Sequence, residues 1–127
     1  MIDHTGVNVS NLELSKAFYL KALAPLGYCI CLELESGAGF GAQPGARDDP
    51  GGDFWISAGE PQTPRMHIAF RAANEQEVNE FYRAAIGAGT GNGPPGERPH
   101  YHAGYYAAFV RDPDGHNIEA VYHGNAE

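Results

Sequence analysis

Apolar and polar residues alternate over positions 4–9, HisThrGlyValAsnVal, and the period changes just after them. Alternation marks a strand with one buried face, whereas spacings of three and four mark a helix. Leu14, Phe18 and Leu23 share the helical spacing, Ser10 or Asn11 can cap the first turn, and Pro25 with Gly27 ends the segment. Residues 28–34 and 54–57 then read as strands on either side of a Gly- and Pro-rich interval over 36–53. Further on, residues 66–71 predict a strand, and Asn74 caps a helix reaching about Ile86, with Val78, Phe81, Tyr82 and Ala85 on its apolar face. Residues 105–111 and 116–122 flank AspProAspGly at 112–115, a strong turn signal, and predict a hairpin.

These two passages read as copies of one unit. At a shift of 63 residues His4 meets His67, Asn11 meets Asn74, Phe18 meets Phe81, Tyr19 meets Tyr82, Ala22 meets Ala85, and Leu23 meets Ile86. The expectation is an α+β fold, a single domain over 1–127 with module one about 1–62 and module two about 63–127. Each module runs strand, helix, then two or three strands. Two such half-sheets would share a concave surface, where ligands bind by preference.

Composition refines this picture. The chain has 17 Gly and 9 Pro, an excess that argues against a helical bundle, while seven Tyr, six Phe and one Trp argue against disorder. Residues 37–52 hold six Gly and two Pro, and residues 87–104 hold six Gly and three Pro, so these segments read as two long loops rimming the cavity. A formal net charge of −8 without any basic run excludes nucleic acid as an expected partner. No window approaches the roughly 20 apolar residues of a membrane span, and no leader pattern opens the chain, so no membrane partner and a cytoplasmic location are expected. Cys29 and Cys31 lie two apart and are expected to be reduced core thiols.

Chemistry concentrates on the strands. His4 and His67 occupy equivalent positions, so a pseudo-twofold would aim both imidazoles at one point. Glu119 lies between apolar neighbours in AsnIleGluAlaVal, and a buried carboxylate needs a partner or a cation. His4, His67 and Glu119 are therefore the candidate metal ligands, suited to Fe, Mn, Zn or Ni with open positions left for substrate. The segment ArgProHisTyrHisAlaGlyTyrTyr at 98–106 supplies His100 and His102 as candidate catalytic proton-transfer groups, and Tyr101, Tyr105 and Tyr106 as candidate substrate contacts. Trp55 is a further candidate pocket wall. His116, His123, Asp112 and Asp114 are assigned to solvent. No GxSxG, phosphate-binding GxxxxGK[ST] or zinc CxxC pattern occurs.

The opening IleAspHisThrGlyValAsnVal, the PheTyr of each helix, MetHisIleAlaPhe, and PheValArgAspProAspGlyHisAsnIleGluAlaVal at 109–121 resemble the glyoxalase/bleomycin-resistance/extradiol-dioxygenase (vicinal oxygen chelate) superfamily over nearly the whole chain. The resemblance implies paired βαβββ modules forming a half-open mixed β-barrel with two helices outside, and places His4, His67 and Glu119 on metal-ligand positions. Shifting Glu119 back by 63 falls on Ile56, where glyoxalase I enzymes carry another ligating glutamate, so a four-ligand glyoxalase I is not expected. The resemblance implies a divalent-metal-dependent enzyme, a lyase, isomerase or dioxygenase acting on a small oxygen-chelating substrate. Its alternative is a metal-free, bleomycin-resistance-like protein that sequesters a small aromatic or cationic compound. A homodimer is expected, with modules pairing within one chain or across two.

Overall fold

The computed structural model describes residues 1–42 and 50–124. Strand β1 (Thr5–Val9) leads into helix α1 (Leu12–Leu23), where Asn11 is extended and its side chain accepts the Leu14 N–H at 3.1 Å. The same device starts helix α2 (Glu75–Ala85), where Asn74 accepts the Glu77 N–H at 2.9 Å and Glu77 reaches back to the Ala73 N–H at 2.8 Å. Each cap satisfies a backbone donor that has no partner inside the helix. A short 3-10 turn over Ala24–Leu26 and Gly27, at φ 87°, end the first helical segment. Phe18, Tyr19, Ala22 and Leu23 of α1 and Val78, Phe81 and Ala85 of α2 are buried in one core with Val7, Val9, Phe40, Phe54, Ile56, Phe70, Val110 and Ile118.

Beyond α1 come β2 (Tyr28–Leu34), β3 (Gly37–Ala42) and β4 (Phe54–Ala58); β5 (His67–Arg71) precedes α2, and β6 (Thr90–Glu97), β7 (Tyr106–Arg111) and β8 (Asn117–Tyr122) follow it. The strands form two four-stranded mixed sheets, ordered β1-β4-β3-β2 and β5-β8-β7-β6. In each, the first strand is parallel to the last and the other pairs are antiparallel. This is an α+β fold of paired βαβββ units, with two curved sheets that do not close into a barrel.

Two elements lie where loops were expected. β3 and β6 are both glycine-rich, and the glycines of β3 have a packing reason. Its Ala38 and Phe40 face the core while Gly37, Gly39 and Gly41 alternate with them on the other face. A Cβ at Gly39 would lie 2.1 Å from the Gly51 carbonyl oxygen and 2.7 Å from the Trp55 ring, so only glycine admits both. Residues 43–49 of the first expected loop lie outside the described residues. Cys29 and Cys31 are half-buried rather than in the core, with the Cys31 Sγ beside Gly41 on the glycine face.

The seam between the modules is built by the AspProAspGlyHis turn. His116, expected at the surface, is fully buried: its Nδ1 accepts the Met66 N–H and its Nε2 donates to the Asn8 carbonyl, both at 3.0 Å. Asp112 is also buried. It accepts the Tyr19 hydroxyl at 2.5 Å and the N–H groups of Asp114 and His116 at 2.9 Å. Asp114 accepts both the backbone N–H and the hydroxyl of Ser10. A turn rich in acceptors is polar in sequence, yet its groups are consumed by backbone donors and by a phenol, which is why it can be buried.

Candidate functional site

Alternation along β8 puts Glu119 on the face opposite Ile118 and Ala120. Its register partner in β5 is Ala69 and in β7 is Phe109. Two residues earlier in β5, His67 shares the face of Ala69, and its Nε2 lies 2.8 Å from Glu119 Oε1. The other carboxylate oxygen, Oε2, accepts the Tyr105 hydroxyl. Glu119 is only 1% exposed while the His67 side chain is 54% exposed, so the pair presents an imidazole to solvent over a sunken carboxylate. Burial first, and then the hydrogen bond to Glu119, raise the Tyr105 phenol above its ordinary value and keep it a donor.

Rings surround this pair. Phe109 lies 6.1 Å from the His67 ring, and the Arg98 guanidinium sits over Phe109 at 5.4 Å. Tyr105 packs against Tyr101 at 4.8 Å, His102 at 5.2 Å and His123 at 5.6 Å, and His100 stands 4.3 Å from Tyr101. His102 and His123 are stacked, with Nε2 and Nδ1 3.0 Å apart. His100, His102 and Tyr101 are exposed. Tyr106 turns to the helix layer, where its hydroxyl donates to Asn79 at 2.8 Å. His123, assigned to solvent from sequence, joins the cluster through contacts that the alternation of β8 does not announce.

His4 stands elsewhere. It precedes β1, with Nδ1 2.7 Å from Asp3 Oδ1, and among the described residues no three His, Cys, Asp or Glu side chains assemble as a metal-ligand group. The seam explains this. The end of β1 meets the start of β5 through Asn8, His116 and Met66, while Thr5 at the start of β1 shares a cavity with Phe70 and Arg71 at the end of β5. The two strands therefore run side by side in opposite directions, and the pseudo-twofold puts His4 and His67 at opposite ends.

Strand register also relocates the counterpart of Glu119. Trp55 pairs with Gly6 and Gly39, as Glu119 pairs with Ala69 and Phe109, and Gly6 and Ala69 stand 63 apart. The equivalent position is Trp55, not Ile56, because one residue separates Gly52 from the core residue Phe54 and two separate Gly115 from Ile118. Ile56 faces the core.

His67 and Glu119 fit two positions of a metal. Ligand bonds of about 2.1 Å at right angles would separate their donor atoms by about 3 Å, close to the spacing present. Among the described residues no third His, Cys, Asp or Glu of the same chain joins them.

A paired βαβββ α+β fold carrying an imidazole and carboxylate on the open face of its second sheet defines the class. The chain belongs to the Glyoxalase/Bleomycin resistance protein/Dioxygenase superfamily, whose family model matches residues 34–120. It is 30% identical to a glyoxalase/bleomycin resistance protein from Albidiferax ferrireducens T118, with TM-score 0.75 over 94% of this chain and 96% of that one. A glyoxalase-related enzyme from Fulvimarina pelagi shares 21% identity, with TM-score 0.70 over 96% and 87% of the two chains. Lactoylglutathione lyase from Agrobacterium tumefaciens shares 18% identity, with TM-score 0.65 over 96% and 92%, a likeness of fold. Among curated proteins none matches in sequence. No helix among the described residues is long and apolar enough to cross a membrane.

Proposed function

We propose that the protein is a divalent-metal-dependent enzyme acting on a small substrate with neighbouring oxygens, its ligands being His67 and Glu119 of one copy and His4 of a second. The observation that carries this reading is the contact between His67 Nε2 and Glu119 Oε1, two metal-competent donors held together by parallel strands. The antiparallel run of β1 and β5 supports the involvement of a second copy, since a twofold-related chain can offer His4 where the same chain cannot. A homodimer is then the working form. Fe, Mn, Zn or Ni would serve as Lewis acid toward a carbonyl or enolate oxygen. Tyr105 holds the Glu119 carboxylate in place through Oε2, Tyr101 and Phe109 offer apolar walls, and His100 and His102 are the nearby proton-transfer groups.

Metal titration of the chelator-stripped dimer, with Fe kept anaerobic, tests the proposal. The expected result is one metal per site, lost in His67→Ala with Glu119→Ala and weakened in His4→Ala. Wild type retaining no more metal than the double variant overturns it.

One observation favours a second reading. Both Glu119 oxygens already have protein partners, and Trp55 stands where symmetry would place another carboxylate. These features suit a metal-free binder of a small aromatic or cationic compound, which would perturb Trp55 emission without any metal.

A further inference from the structure

The two ends of the module seam are not filled alike. Gly52 and Gly115 both turn the chain at positive φ, 92° and 94°, and the residue that follows differs between them. In module two that residue is His116, whose ring spans the gap between Asn8 and Met66. In module one it is Asp53, which is shorter and cannot donate. It turns instead to the Tyr28 hydroxyl, which donates to Oδ2 at 2.7 Å, and its backbone carbonyl holds the Thr5 N–H at 3.0 Å. Where His116 plugs one end, a cavity of about 420 Å3 lies open at the other.

The lining is chemically specific. Phe54 and Phe70, in edge-to-face contact at 5.2 Å, form an apolar floor with Leu26 and Ile68. Asp53 and Arg71 contribute opposite charges, and Asp3, whose Oδ1 is engaged by His4, adds a second carboxylate at the rim. Arg71 makes no ion pair or side-chain hydrogen bond among the described residues, unlike Arg65, Arg83 and Arg98, which are all engaged. Asp53 Oδ1 likewise takes no hydrogen bond among the described residues, Oδ2 having taken the Tyr28 hydroxyl. Neither His67, Glu119 nor Tyr105 lines the cavity.

We propose that this seam cavity binds a small zwitterion with an apolar body, of the amino-acid class: its carboxylate on Arg71, its ammonium on Asp53, its side chain over Phe54 and Phe70. A guanidinium facing a carboxylate forms the paired hydrogen bonds that this geometry leaves vacant, and the volume lies within the range of small-molecule sites. The cavity borders the metal reading at Ala69, the register partner of Glu119, and at Asp3 and Thr5 on either side of His4, but it contains neither His67 nor Glu119, so binding here is read separately from metal retention.

The test uses the full chain in its native assembly, 15N-labelled, titrated with L-phenylalanine. Amide shifts are expected at Thr5, Ile68 and Phe70. Asp53→Asn, which is isosteric, and Arg71→Gln, which removes the guanidinium, both checked by their melting curves, should each weaken binding about tenfold or more. Phenethylamine and 3-phenylpropionate, each lacking one charge, should bind about tenfold more weakly than L-phenylalanine. The proposal is overturned if no shifts appear, if they map instead to His67 and Glu119, if both variants bind like wild type, or if either single-charge analogue binds as well as the zwitterion.

Discussion

The imidazole of His116 donates to the carbonyl of Asn8, 108 positions away in sequence, and accepts the N–H of Met66 on its other nitrogen. One neutral ring thereby fixes the distance between the first strands of two separate sheets. Both contacts are part-buried around a fully buried ring, and truncation leaves a backbone donor and a backbone acceptor without their partner. His116→Ala should cost about 3 kcal/mol, read from urea unfolding, and an unchanged midpoint would refute this role.

The phenol of Tyr19 should make the protein alkali-sensitive. Burial, reinforced by the Asp112 carboxylate, holds it well above its ordinary value, and Tyr28 and Tyr105 are raised in the same sense. Unfolded tyrosines ionise near pH 10 while these stay protonated in the fold. Their contribution is therefore complete below about pH 10 and falls as pH rises beyond it. Denaturation midpoints from pH 8 to 11 should decline steeply in wild type and less steeply in Tyr19→Phe.

Ser15 Oγ is buried without a hydrogen-bond partner among the described residues. Alanine removes that unsatisfied group and favours the helix, so Ser15→Ala should stabilise by about 1 kcal/mol, a rise of roughly 4 °C in Tm. A lower Tm would mean that the hydroxyl has a partner after all.

Trp55→Glu restores the symmetry that the indole breaks. If the dimer brings Trp55 of one copy beside His67 and Glu119 of the other, the new carboxylate should tighten metal retention by about tenfold or more in competition with a chelator, and Trp55→Phe should not. Equal retention by both variants would place Trp55 away from the metal.

Much of the fold could be read from local pattern. The Asn caps mark the starts of both helices and the AspProAspGly turn marks the last hairpin, because each depends on a few adjacent residues. β3 and β6 escaped such reading since glycine-rich segments resemble loops, and the reason for glycine at position 39 is Trp55 and Gly51 across the sheet. The importance of Tyr105 was legible only as one of several tyrosines; its bond to Glu119 comes from the hairpin bringing residues 14 apart together.

The sequence by itself determined the family and the α+β order of its strands and helices, because motifs and alternation set by neighbouring residues are local properties of the chain. The tertiary structure alone decided that His4 lies at the opposite end of the seam, that Trp55 rather than Ile56 answers Glu119, and that His116 is a buried clasp. These depend on how two sheets pack and on a one-residue difference between two turns, quantities that no local pattern encodes.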